Sequence, residues 1–292
     1  MSIIVRLDGG LGNQLFQYAA GRSISKRLGV DLLLDDTLFA YKRAGVTPRL
    51  FELGAYDIHA KLLNAEQKNA VSNRIHRLYK YLYRFGIKKS PYAVYAENKF
   101  SYNADICNVK DDTIILGFWQ SEKYFKNIRK ELLEEIKPRK DLCRDIVDYK
   151  HEINSVNSVS LHVRRGDYIT NANAASYHHV CDLGYYKKAI EFITKQVIDP
   201  IFFIFSDDPD WVRNEFKLTC SSVVVSRKEN TPAYEDLQLM SYCKHHVIAN
   251  SSFSWWGAWL DSNPDKIVIA PNKWFRADKD INDLLPKEWI VL

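Results

Sequence analysis

Residues 1–35, MSIIVRLDGGLGNQLFQYAAGRSISKRLGVDLLLD, decide the fold. An apolar run from Ile3 to Leu7 leads into the glycine-rich turn Gly9-Gly-Leu-Gly-Asn-Gln14. A stretch of helical character then reaches Leu28, and a second apolar run extends from Val30 to Asp35. Strand, glycine turn, helix and strand make a βαβ unit, in which a helical crossover joins two parallel strands.

The same alternation returns further along. Strands are expected at Thr113–Phe118, Val159–Val163, Ile201–Phe205, Val223–Val225, Val247–Ile248 and Ile267–Ile269. Helices are expected at Glu122–Ile136, Tyr185–Val197, Asp210–Phe216, Tyr234–Tyr242 and Phe253–Leu260. Residues 61–90 read as helical, and Lys68 to Lys89 carries seven Lys/Arg and no acidic residue. With Ile75, Leu78, Leu82 and Phe85 at helical spacing, this is a basic amphipathic segment suited to an anionic lipid surface or to a solvated face. The pattern breaks over residues 138–157. It divides the chain into an α/β domain over 1–150 and a second over 151–292, with a cleft between them. Ligands of open α/β sheets bind beyond the carboxyl ends of the strands, so the loops there hold the candidate site.

The bulk properties narrow the classes. At 292 residues, 46% hydrophobic and 26% charged, the chain can bury a sizeable core. A net charge of +5 is too mild for nucleic acid and compatible with a small anionic ligand. Five scattered cysteines without a CxxC pair fit free thiols in a reducing compartment. The N-terminus lacks the long apolar region of a signal peptide, and no apolar run is long enough to span a bilayer. These features point to the cytoplasm.

Four stretches carry candidate chemistry. In Ser160-Leu-His-Val-Arg-Arg-Gly-Asp-Tyr168, strand alternation sends Leu161 and Val163 to one face and His162 and Arg164 to the other. Arginine suits a pyrophosphate because its planar fork donates paired hydrogen bonds and keeps its charge. Asp167 would orient one arginine, and a structural Arg–Asp pair is the plainer alternative. The Gly10 and Gly12 turn offers close backbone approach and a helix N-terminus to an anion, or is simply a tight turn. With Asp35 and Asp36 ending the next strand it also suggests NAD binding, although no third Gly or Ala completes that pattern. In Ala249-Asn-Ser-Ser-Phe-Ser-Trp-Trp-Gly-Ala-Trp-Leu260, Asn250 or Ser251 makes an N-cap whose hydroxyls and N–H groups suit a phosphate, while the tryptophans pack. In Phe205-Ser-Asp-Asp-Pro209, Asp207 and Asp208 end a buried strand, where one can accept hydrogen bonds from a guanine and the other can cap the next helix. His178, His179 and Cys181, or Cys243 with His245 and His246, lack zinc-type spacing, so no metal site is expected.

Taken together, the Gly9–Gln14, His162–Asp167, Phe205–Asp208 and Asn250–Gly257 blocks resemble the α-1,2-fucosyltransferase family, in its order and across nearly the whole chain. The resemblance implies a variant GT-B fold with two facing Rossmann-like domains, the second holding GDP-fucose. It implies inverting, metal-independent transfer of fucose to the 2-hydroxyl of a galactoside, in an O-antigen repeat, an H-type oligosaccharide or a lipid-linked glycan. By motif match, Arg164 contacts the β-phosphate with Arg165 in support. His162 and Asp208 lie toward the guanine, and Ser251, Ser252 and Phe253 lie along the phosphates and ribose. Asn13 comes from the other domain. The general base is open among Asp8, Asp36, Asp167, His178, His179 and the departing phosphate, with Asp8 favoured. An NAD-dependent oxidoreductase would explain the first βαβ unit alone. A non-catalytic glycan-binding protein would explain only the aromatic content.

Overall fold

The computed structural model describes every residue except 77–90, 140–142, 167, 168, 170, 178, 219, 226–231 and 278, and the side chains at 145 and 174. The chain divides into two compact units. The first comprises Met1–Lys42, Pro48–Lys137 and Asn282–Leu284; the second comprises Arg43–Thr47, Pro138–Ile281 and Leu285–Leu292. The helix Arg144–Ser155 therefore lies wholly in the second unit, whereas a division at residue 150 cuts through it.

In the first unit, β1 (Ser2–Arg6), α1 (Leu11–Leu28), β2 (Asp31–Asp35), β3 (Lys61–Leu62), α2 (Ala65–Ile75), β4 (Ala93–Ala96), β5 (Thr113–Leu116) and α3 (Arg129–Glu135) follow one another. All strand pairs are parallel, in the order β3-β2-β1-β5-β4. Gly29 ends α1 in the left-handed conformation, φ 67°, which glycine adopts without a Cβ clash. The helix expected from residue 61 starts only at Ala65, because Asn64 and Gln67 form a reciprocal capping box. The helix expected from Glu122 opens as two 3-10 turns before α3. Of the basic stretch 68–89, Lys68 pairs with Asp36 at 2.6 Å and Arg74 donates to the Tyr92 carbonyl at 3.0 Å. Residues 77–89 of that stretch lie outside the described residues.

The second unit contains α4 (Arg144–Ser155), β6 (Asn157–Val163), α5 (Ala172–Tyr177), α6 (Leu183–Gln196), β7 (Pro200–Ser206), α7 (Pro209–Glu215), β8 (Ser222–Val224), α8 (Ala233–Tyr242), β9 (His245–Val247), α9 (Ser252–Leu260), β10 (Val268–Ala270) and β11 (Ile290–Val291). Its sheet is also parallel throughout, ordered β11-β10-β9-β6-β7-β8. The near-continuous apolar run Ile201–Phe205 reflects burial on both faces. Val159, Leu161, Phe202 and Ile204 join one core with Tyr186, Ala189 and Ile193 of α6. Phe203 and Phe205 join the opposite core with Ile146, Ile153, Leu239 and Met240. Trp255, Trp256 and Trp259 are buried against one another, as expected of the packing half of their motif.

The second sheet changes winding direction once, between β6 and β9, whereas in the first β1→β2→β3 and β4→β5 step the same way and β5 lies beside β1. Such a switch point leaves a crevice beyond the carboxyl ends of the flanking strands.

Candidate functional site

The β6/β9 switch point gathers most of the candidate residues. β6 ends at Val163, so its alternation delivers His162 and then Arg164 to the crevice. The Arg164 Nη1 lies 2.7 Å from the Asp207 Oδ2 at the end of β7, with side-chain exposures of 19% and 23%. The other Asp207 oxygen accepts the Arg165 N–H at 2.9 Å. Asp207 therefore orients Arg164 and the backbone that carries Arg165, the role expected of Asp167. Asp167 itself lies outside the described residues.

Gly166 is required here. A Cβ at this position would come within 2.3 Å of the Asp207 Oδ2. Asp208 caps α7 by accepting from the Trp211 N–H at 3.2 Å, and its other oxygen lies 3.6 Å from the Arg165 Nε. The Arg165 guanidinium stacks 3.7 Å from the Trp211 ring centroid. Of the two carboxylates, Asp208 is thus the helix cap and Asp207 the arginine partner.

His162 is buried, with its ring 5.9 Å from that of Phe253. Its Nδ1 has no hydrogen-bond partner among the described residues. Burial foremost, and then the Arg164 charge, push its pKa down to about 3. The unfolded chain binds a proton near pH 6.5 that the folded chain refuses, so stability present above that pH is lost as pH falls from 6.5 toward 3. His246, also buried with a lowered pKa, adds in the same direction. Urea midpoints are expected to fall between about pH 7 and about pH 5, and the drop is expected to shrink in His162→Gln.

Across the crevice, the turn after β9 presents the N-terminus of α9. Ser251 caps it, its Oγ accepting from the Phe253 N–H at 3.3 Å, and the first turn carries no acidic residue. Ser252 and Phe253 are partly exposed at this end. Asn250 requires a correction. Its side chain is fully buried, donating to the His179 and Trp274 carbonyls at 2.6 and 2.9 Å and accepting from the Cys181 thiol at 3.4 Å. It shapes the turn and has no exposed face with which to bind a ligand.

Two features escape sequence reasoning because only the fold assembles them. The loop after β10 brings exposed Lys273 and Arg276 into the neighbourhood of the Asn250 turn, and burial together with the Lys273 charge lowers the His179 pKa. Beneath the crevice, Ser160, His246 and Asp261 form a buried chain: the Ser160 Oγ lies 2.8 Å from the His246 Nδ1 and the His246 Nε2 lies 3.1 Å from the Asp261 Oδ2. It resembles a hydrolytic triad, but His246 is 0% exposed, so the chain braces β6 against β9 across the switch point. Among the described residues no group of three or more His, Cys, Asp or Glu is placed to hold a metal.

In the first unit, the Gly9–Asn13 turn follows the carboxyl end of β1, the neighbour of β5. Gly9 has φ 82°, with the Asn13 amide filling the space a Cβ would need. Gly10 precedes α1, Gly12 is buried in its first turn, and the Asn13 Oδ1 accepts from the Gln120 amide at 2.8 Å. Asp8 accepts the Gly9 N–H at 2.7 Å. The oxidoreductase alternative is not supported at the end of β2. Asp35, which would hold the ribose, is buried and accepts from Thr37 at 3.1 Å.

A parallel, doubly wound α/β sheet brings an arginine pair and a helix N-terminus to its switch point, an arrangement suited to a nucleotide or phosphate. Comparison with known proteins makes this specific. Residues 58–292 match glycosyl transferase family 11, and the chain belongs to that family. It is 36% identical over 300 residues to the O-antigen biosynthesis glycosyltransferase WbnK of Escherichia coli, covering 98% of this chain and 99% of that protein. It is 35% identical over 301 residues to an alpha-1,2-colitosyltransferase of Escherichia coli, covering 99% of each. A galactoside 2-alpha-L-fucosyltransferase of Bos taurus, SEC1, is 28% identical over 153 residues, half of this chain and 41% of that protein. Among solved structures, the NodZ alpha-1,6-fucosyltransferase crystallised with GDP matches with a TM-score of 0.51 and 15% identity, covering 88% of this chain and 91% of its own. A mutant of Arabidopsis thaliana FUT1 in complex with GDP matches at 0.52 and 10%, covering 91% and 69%. These two likenesses concern the fold alone. No described helix is long and apolar enough to cross a membrane.

Proposed function

We propose that this glycosyltransferase transfers L-fucose from GDP-fucose to the 2-hydroxyl of a β-galactoside, with inversion and without a metal. The observation that carries the proposal is the Arg164–Asp207–Arg165 cluster set beside the N-terminus of α9 at the β6/β9 switch point. In a direct displacement the departing nucleotide gains negative charge as the sugar becomes cation-like. Fixed guanidinium and N–H donors stabilise that charge without reorganising. The orphaned Nδ1 of neutral His162 supplies one further hydrogen-bonding atom for the nucleotide. The proposal includes the GT-B organisation expected from the sequence, with the second unit as donor half and the first as acceptor half. Asn13 and the candidate base Asp8 belong to the first; Asp36, paired with Lys68, is the weaker candidate. Five free cysteines fit a cytoplasmic enzyme working on a lipid-linked or free glycan.

A second donor is favoured by one finding, the 35% identity to an alpha-1,2-colitosyltransferase over 99% of both chains. Incubation with GDP-fucose and GDP-colitose in parallel, with a β-galactoside acceptor, separates the two. NMR of the product is expected to give an α-1,2-linked fucoside. Preference for GDP-colitose would replace the donor sugar and keep the site, and turnover of neither donor would overturn the proposal.

A further inference from the structure

The carboxyl end of the first sheet carries a strap at Gly117–Trp119 that packing alone does not explain. Trp119 is held at φ 56°, a conformation costly for a bulky residue. Its indole is fully buried, yet its Nε1 has no hydrogen-bond partner among the described residues. Phe118 beside it is 40% exposed.

Both strap N–H groups are fixed by one carboxylate. Glu97, just past β4, accepts from Phe118 at 2.9 Å on one oxygen and from Trp119 at 3.1 Å on the other. Gly117 lets it in, since a Cβ there would lie 2.5 Å from the Glu97 Cβ. The strap is also tied to the glycine turn. The Gln17 amide donates to the Gly117 carbonyl at 3.0 Å and accepts the Asp8 N–H at 3.0 Å. Behind the strap, Trp119 stacks on Tyr95 and meets Tyr124 edge-on. Burial raises the Glu97 pKa although both N–H groups oppose the shift.

A loop anchor alone would account for Glu97. It would not account for an exposed aromatic ring and a strained, imperfectly satisfied tryptophan in the adjacent positions, directly after the carboxyl end of β5. We propose that this end of the first sheet is a sugar subsite for the acceptor, with the Phe118 ring against the apolar face of a pyranose and Glu97 accepting from one of its hydroxyls. Each Glu97 oxygen engages a single N–H, which leaves lone pairs for that contact. The assignment of the sugar as acceptor rests on the function proposed above.

Saturation-transfer NMR with lactose as the probe tests the subsite with no donor present. The wild-type chain is expected to give lactose signals that Phe118→Ala weakens by about tenfold, the loss of one aromatic contact. In turnover, Phe118→Ala and Glu97→Gln are expected to raise the acceptor KM by about tenfold while the donor KM and GDP affinity stay within about twofold. Phe118 is exposed, so its variant tests the subsite even where Glu97→Gln disturbs the strap. Wild-type lactose binding that Phe118→Ala weakens, in a chain that binds no GDP, would keep the subsite and remove the donor assignment. Unchanged lactose signals and acceptor KM in Phe118→Ala, or no lactose binding by the wild type with or without GDP, would overturn the subsite.

Discussion

Arg164→Ala is expected to lower kcat/KM for the GDP-sugar by about 10²–10³-fold, the cost of removing one preorganised donor to a developing negative charge. The loss is expected mainly in kcat, because the phosphate charge that Arg164 answers grows as the sugar departs. Folding is expected to change little. The Arg164–Asp207 pair is partly exposed, and such pairs contribute about 1 kcal/mol or less. Asp207 also keeps its hydrogen bond from the Arg165 N–H. Arg164→Lys is expected to fall between the two, since lysine restores the charge but not the planar fork. Steady-state kinetics alongside a thermal melt checks all three points. Arg164→Ala with near-wild-type turnover would remove the guanidinium from the mechanism.

Asp207→Asn is expected to cost about 10²-fold in kcat, although Asp207 is a positioning residue in this account. One of its oxygens faces Arg164 and the other the Arg165 N–H, so an amide would turn a donor toward a donor on one side. Gly166→Ala should act the same way by a different route, because its Cβ would displace the Asp207 carboxylate from 2.3 Å away. GDP affinity measured with the kinetics distinguishes misplacement of the arginines from unfolding. Equal kcat in both variants and the wild type would show that Asp207 does not set the geometry of Arg164.

Much of this arrangement was legible in the sequence, for identifiable reasons. Alternation along Val159–Val163 separated His162 from Leu161, and the two cores of the second unit sit on those opposite faces. The packing of the tryptophans and the capping by one of two carboxylates were likewise local matters, fixed by hydrophobicity and by Pro209 at the start of α7. What was illegible depends on distant contacts. Asn250 reads as an available polar group, but the loop carbonyl of Trp274, 24 residues away, takes its amide. The two-residue strands β3 and β11 are too short to carry periodicity, and the polar surface of α4 hid a helix in what reads as a linker. Glu97 illustrates the same point, since a lone glutamate gains meaning only when the strap at 117–119 folds over it.

The central claim is that the β6/β9 switch point binds the guanosine diphosphate of the donor through Arg164 and without a metal. Calorimetric titration of GDP in EDTA, on the wild type and on Arg164→Ala with ADP and NAD as controls, tests it most directly. GDP is expected to bind the wild type, to bind Arg164→Ala at least about tenfold more weakly, and to outcompete both controls. Binding of NAD without GDP, or GDP affinity indifferent to Arg164, would contradict the account.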